Sequence, residues 1–80
     1  MSLYFFHLRD GVDIVLDLEG REVADLDRAK ALALADAPSI IGLDAKGGRI
    51  MLDQHIDVED EFRNILHTLH FVDAVEIIFP

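Results

Sequence analysis

The sequence predicts a small two-layer α+β domain. An antiparallel sheet of about four strands packs on one main helix, in the order β-β-α-β-β. Three observations carry that expectation. Apolar and polar residues alternate in "YFFHLR" near the start and in "IDVE" from residue 56, which is the period of a strand. Between them, "LDRAKALALADAPSII" repeats small apolar residues every three or four positions, the period of a helix. Gly and Asp cluster between these stretches, where turns are expected.

The first strand covers residues 3–9. Tyr4, Phe6 and Leu8 share one face, assigned to the core; Phe5, His7 and Arg9 share the other. "DGVD" at residues 10–13 is a turn, and a short second strand follows over Ile14 to Leu18, ended by Gly20. The two most simply form a hairpin. Asp25 is the expected helix N-cap, with Asp27 in the positive first turn. Leu26, Ala29, Ala33 and Ala37 form the buried stripe, flanked by Leu32 and Ile40; being mostly alanine, it allows close approach to a sheet. Pro38 lacks a backbone donor and clashes one turn back, so a kink or break is expected near Ala37, with helix continuing through Ile40 and Leu43. Gly47 and Gly48 end it, after Lys46 at the negative terminus.

Two further strands follow. Ile56 and Val58 alternate with Asp57 and Glu59, "DEFRN" at residues 60–64 turns the chain, and Ile65 to His70 return. The tail "FVDAVEIIFP" fits either a helical turn or a fifth strand.

The 80 residues, taken as one domain over 1–80, leave little room for a buried catalytic pocket. A hydrophobic fraction of 51% argues for a folded core. Without cysteine, no disulfide or thiolate zinc site can staple the fold. The net charge of −9, with seven basic residues scattered among sixteen acids, argues against direct nucleic-acid binding and suits a basic protein partner. Arg9 and Asp10 interrupt any leader-like apolar run, and no run approaches the roughly 20 residues of a membrane span. The expected address is the cytoplasm.

"YFFHLRDG", "DLEG", the alanine-rich helix and "IDVEDE…ILHTLHFVDAVEI" together resemble an uncharacterised bacterial family, DUF6894, with a pattern of the form Y-F-x-x-x-D-G…D-x-E-G…helix…V-x-D-E…F-x-D-A. The matching positions are Tyr4, Phe5, Asp10, Gly11, Asp17, Glu19, Gly20, Asp60, Glu61, Phe71, Asp73 and Ala74, spread over nearly the whole chain. Where such members usually carry a glycine in the second hairpin turn, this chain has Arg63-Asn64. The resemblance implies no activity. A looser architectural similarity is to HicB-type antitoxins, which hold a basic toxin; their sequence motifs are not evident here.

Four histidines invite a metal reading: His7, His55, His67 and His70. His67 and His70 fall on opposite faces of a strand, so the pair makes no local site, although His55 and His7 could approach from neighbouring strands. The plainer reading is four ordinary strand histidines, with no metal or other cofactor. Two acidic stretches, Asp57, Glu59, Asp60 and Glu61, and Asp10, Asp13, Asp17 and Glu19, lack calcium-loop spacing and read as a solvated strand face with turns. No triad or paired-carboxylate arrangement suggests catalysis. Gly47-Gly48 ends a helix rather than starting one, so it is no phosphate cradle. The expectation is therefore a non-catalytic interaction module, most simply a homodimer joined through the sheet edge or through Val75, Ile77, Ile78 and Phe79. The rival expectation is a small-ligand or divalent-metal binder using the histidine and acidic face.

Overall fold

The structure, a computed structural model, describes residues 1–76. Its elements in chain order are β1 (Ser2–Arg9), β2 (Ile14–Val15), β3 (Arg21–Val23), α1 (Leu26–Lys46), β4 (His55–Glu59), β5 (Ile65–His70) and a 3-10 turn over Phe71–Asp73. All strand pairs are antiparallel: β1 pairs with β4, and β4 with β5. The other edge of β1 pairs with β3 along its first half and with β2 along its second. This is the α+β architecture the sequence predicts, with one strand more than expected.

The extra strand arises because the second strand is cut in two. The strand expected over residues 14–18 stops at Val15, and pairing resumes at Arg21, opposite Tyr4. Between those ladders, Phe5, Phe6 and His7 face Leu16 to Gly20. Five residues cannot pair with three, so the surplus loops away from the sheet. Gly20 starts the return rather than ending a strand. Its φ of +74° suits glycine, and an added Cβ would lie 3.0 Å from Leu3 Cδ1, Phe5 Cε1 and the Tyr4 carbonyl oxygen.

Asp25 caps α1 by accepting the Arg28 N–H at 2.8 Å. Ala29, Ala33 and Ala37 are fully buried against Tyr4, Phe6, Val23, Ile56, Val58, Leu69 and Phe71. Large side chains thus come from the sheet and small ones from the helix. The helix is not divided at Pro38 but runs through it. Pro38 and Leu34 both lie on the exposed side, so the Leu34 carbonyl that loses its partner one turn back can turn to water. At the far end Gly48, with φ +87°, donates its N–H to Ala45, and Arg49 donates to Asp44, closing the helix. Buried Gln54 then ties the following loop down, donating to Asp44 Oδ2 at 2.9 Å and to the Met51 carbonyl at 3.0 Å. The Gln54 carbonyl accepts the N–H of Phe71, whose ring is wholly buried. The tail therefore begins as a helical turn rather than a strand. Val75 is half-buried, while Ile77, Ile78 and Phe79 lie outside the described residues.

Candidate functional site

The face of the sheet turned away from α1 carries the polar half of each alternating strand. The register sets Phe5 opposite Glu59, His7 opposite Asp57 and Arg9 opposite His55; β5 adds Thr68 opposite Asp57 and His70 opposite His55. Because β4 has a neighbour on each side, its acids are enclosed. Asp57 is 4% exposed and Glu59 9%. This corrects the expectation that "DVEDE" is a solvated face. Thr68 Oγ1 donates to Asp57 Oδ1 at 2.7 Å. Arg9 Nε lies 2.7 Å from Asp57 Oδ2, yet its buried N–H makes no aligned hydrogen bond, so the contact is a charge pairing. His55 Nε2 is 3.7 Å from Asp57 Oδ1, and the His55 and His70 rings sit 5.5 Å apart. His67 shares the opposite, helix-side face with Val58. The four histidines therefore do not converge, and among the described residues no group of three or more His, Asp or Glu could hold a metal ion.

The surplus loop of residues 16–20 is anchored to this face by Asp17. Asp17 Oδ2 accepts the Phe6 N–H at 3.2 Å, and Oδ1 accepts those of Gly20 at 3.0 Å and Glu19 at 3.3 Å. A side chain thus replaces the ladder that the surplus residues interrupt. Partial burial raises the proton affinity of Asp17, but the N–H groups of Gly20, Phe6 and Glu19 and the charge of Arg21 outweigh it, holding the carboxyl below its ordinary value. In return, the Asp17 N–H donates to His7 Nδ1 at 3.1 Å. That bond leaves the proton of neutral His7 on Nε2, which is 3.4 Å from Glu59 Oε2.

The loop and the β4–β5 turn rise on either side of a groove of ≈ 550 Å³. Its floor is Phe5, His7, Arg9 and Glu59; one wall is Leu16, Asp17 and Leu18, the other Asp60, Glu61 and Arg63. Asp60 holds the second wall by accepting the N–H groups of Phe62 at 2.8 Å and Asn64 at 2.9 Å and the Asn64 amide at 3.0 Å. The Asn64 side-chain and backbone donors, followed by Phe62, lower its proton affinity. Arg63 takes φ +66°, the left-handed conformation in which a glycine is at ease. Leu18 in the first wall and Phe62 in the β4–β5 turn are each 83% exposed. Glu61 and Arg63 are exposed as well, and neither enters an ion pair among the described residues.

Residues 3–72 match the family model DUF6894, described as a domain of unknown function. The chain belongs to the DUF6894 family. Neither a curated protein nor a solved structure matches it significantly. Of the positions that carry the resemblance, Asp10, Asp17 and Asp60 build turns. Asp10 accepts the N–H groups of Val12 and Asp13, at 3.0 and 2.7 Å, as Asp17 and Asp60 do in their own loops. Gly20 fits where a Cβ would not, and Phe71 plugs the core. Reading the sequence missed Asp17 and Arg63 as groove builders. The surplus residues of the 16–20 loop were the only signal for the first, and the absent glycine at residue 63 for the second.

Among the described residues no helix is long and apolar enough to cross a membrane.

Proposed function

We propose that this DUF6894 chain is a non-catalytic, self-associating module of the cytoplasm, in which two copies pair through the groove face. The observation that carries the reading is exposed apolar surface around a groove floored partly by Phe5: Leu18 in one wall, and Phe62 in the β4–β5 turn that supplies the other wall. Water is a poor neighbour for them, and an aromatic side chain from a second copy fits a groove of this volume. The free charges favour a second copy as the occupant. The rim carries an exposed acid, Glu61, and an exposed base, Arg63, that enter no ion pair among the described residues, so a two-fold axis can set each against the other's opposite. Catalysis finds less support: His7, Glu59, Arg9, Asp57 and Asp17 are already engaged with one another or with backbone, and no hydroxyl nucleophile lines the groove.

Light scattering over a micromolar dilution series tests the reading. The native chain is expected to show twice the monomer mass at the upper end, and Phe62→Ser to remain a monomer with unchanged thermal stability. A native monomer throughout would overturn it. Were such a monomer to bind a short Arg- and Leu-containing peptide, the groove would instead serve a basic partner.

A further inference from the structure

His7, a residue of β1, holds the 16–20 loop by its side chain. Its Nδ1 accepts the Asp17 N–H at 3.1 Å, and an imidazole nitrogen that accepts a hydrogen bond through its one lone pair carries no proton. Its Nε2 faces Glu59 Oε2 at 3.4 Å. The ring is largely enclosed, with 12% of the side chain exposed, and lies nearly parallel to Phe5, 13° between planes at 6.3 Å. It has little freedom to turn away.

We propose that His7 is a proton-operated latch on the loop: a proton taken up at Nδ1 replaces the acceptor with a donor, parts it from the Asp17 N–H, and loosens the Leu16–Leu18 wall of the groove, which the Asp17 carboxylate still ties to the sheet. The proposal rests on the groove being the pairing surface only for its consequence; the latch itself is a property of the single chain. The balance is simple. One proton enters from solvent, no covalent bond other than N–H forms, and the imidazolium charge is neutralised by Glu59 beside Nε2.

The charged surroundings permit this. From β4 the ring faces Glu59, with Asp57 directly opposite in register. From its own strand the nearest charge is Arg9, which is occupied by Asp57. From the loop comes Asp17, whose carboxylate is occupied by three backbone N–H groups. Across the groove stand Asp60, Glu61 and Arg63. Acids outnumber bases around the ring, so an imidazolium is tolerated there, and it is the hydrogen bond to the loop that a proton disrupts. Imidazole is the side chain whose ordinary charge change falls between about pH 5 and 8, which sets the pH values at which the latch is tested.

The test is amide hydrogen exchange by NMR on the full chain, dilute enough to be a monomer, at pH 8 and pH 5 and corrected for intrinsic exchange. The Asp17 amide is expected to lose at least about tenfold in protection at pH 5, while Val58 and Leu69 in the sheet keep theirs. His7→Asn keeps an oxygen acceptor near the place of Nδ1 but does not titrate, so its Asp17 protection should not change with pH. Equal protection of Asp17 at both pH values in the native chain, or an equal loss in His7→Asn, would overturn the latch. A second readout needs no variant. The imidazole ¹⁵N shifts at pH 8 should show His7 protonated at Nε2 alone, and a proton on Nδ1 would overturn it equally. Both readouts come from the isolated chain, so a failure of pairing leaves them intact. A failed latch, in turn, leaves the dimer mass at pH 8 unaffected.

Discussion

Single aspartates hold this molecule's loops, and the clearest case is Asp17. Replacing it with alanine strands the N–H groups of Phe6, Glu19 and Gly20, of which the first and last are partly buried. Losing hydrogen bonds to a charged group in such a place costs about 1.5–3 kcal/mol, which urea melts of Asp17→Ala should show. The same bonds set an acid limit. Asp10, Asp17 and Asp60 are all held below their ordinary proton affinity, so their ionised forms favour the folded chain. That contribution is complete above the unfolded value of about pH 4 and is lost as the pH falls through the lower folded values. Stability should therefore decline below about pH 4, and more shallowly in Asp17→Ala; a parallel decline would mean that the carboxylate is not what holds the loop. Arg63 is the converse case, a residue at odds with its backbone. A left-handed conformation costs a non-glycine residue roughly 1–2 kcal/mol, so Arg63→Gly should be neutral to about 1 kcal/mol more stable in the same melts. It should also pair less well, having lost the rim cation. Sequence alone put Asp60 in a turn and Asp17 in the short second strand. It could not show what they held, because their partners are backbone N–H groups that every residue except proline carries.

At the scale of elements, the periodic stretches and the two hairpins were legible, and the order of the strands was not. The alternation of residues 3–9 assigned Tyr4, Phe6 and Leu8 to the core face, and Tyr4 and Phe6 are indeed buried. Phe6 also carries the Arg21 guanidinium at 4.6 Å from its ring centre, while Arg21 reaches Asp36 on α1 at 2.7 Å. Phe6→Ala should accordingly cost about 3–5 kcal/mol, and a loss under about 1 kcal/mol would show that the cavity closes without it. Of the kink or break expected at Pro38, the break does not occur, because the sequence does not say which way a proline faces. On the solvent side it removes a donor without driving its ring into the core. Pro38→Ala restores that donor, and thermal melts should show a neutral or stabilised protein, within the roughly 3 kcal/mol that separates the two residues in a helix interior. A clearly destabilised variant would mean that the fixed φ of proline helps to set the course of α1. The burial of Asp57 and Glu59 was illegible for a related reason. Their enclosure comes from the central place of β4, and strand order is a property of the sheet rather than of "IDVE".

The whole molecule poses a question of charge, because each copy carries a net −9 and like charges resist pairing. Its Cα extents of 43 × 24 × 17 Å put the centres of two copies stacked through their sheet faces on the order of 20 Å apart. At that distance a unit-charge pair in water repels by about 0.2 kcal/mol, so two such copies repel by on the order of 10 kcal/mol without salt. The Debye length is about 30 Å at 0.01 M salt and about 8 Å at 0.15 M. Most of the repulsion therefore survives in dilute buffer, and on the order of 1 kcal/mol remains at physiological strength. Burying Leu18 and Phe62 on both copies contributes roughly 1.5–3 kcal/mol per side chain, well above the screened repulsion but only comparable with the unscreened one, which leaves nothing to meet the cost of association. Self-association should consequently tighten as salt is added. Sedimentation or light scattering at fixed protein concentration is expected to pass from monomer at about 0.01 M salt to dimer at about 0.15 M and above. The Glu61–Arg63 contacts weaken over the same range, but as rim pairs they are worth at most about 1 kcal/mol each and cannot reverse the trend. A basic partner gives the opposite sign, since attraction between unlike charges is what salt removes. A complex that loosens steadily with salt would thus sink the dimer and leave the acidic surface as the feature that selects a basic protein.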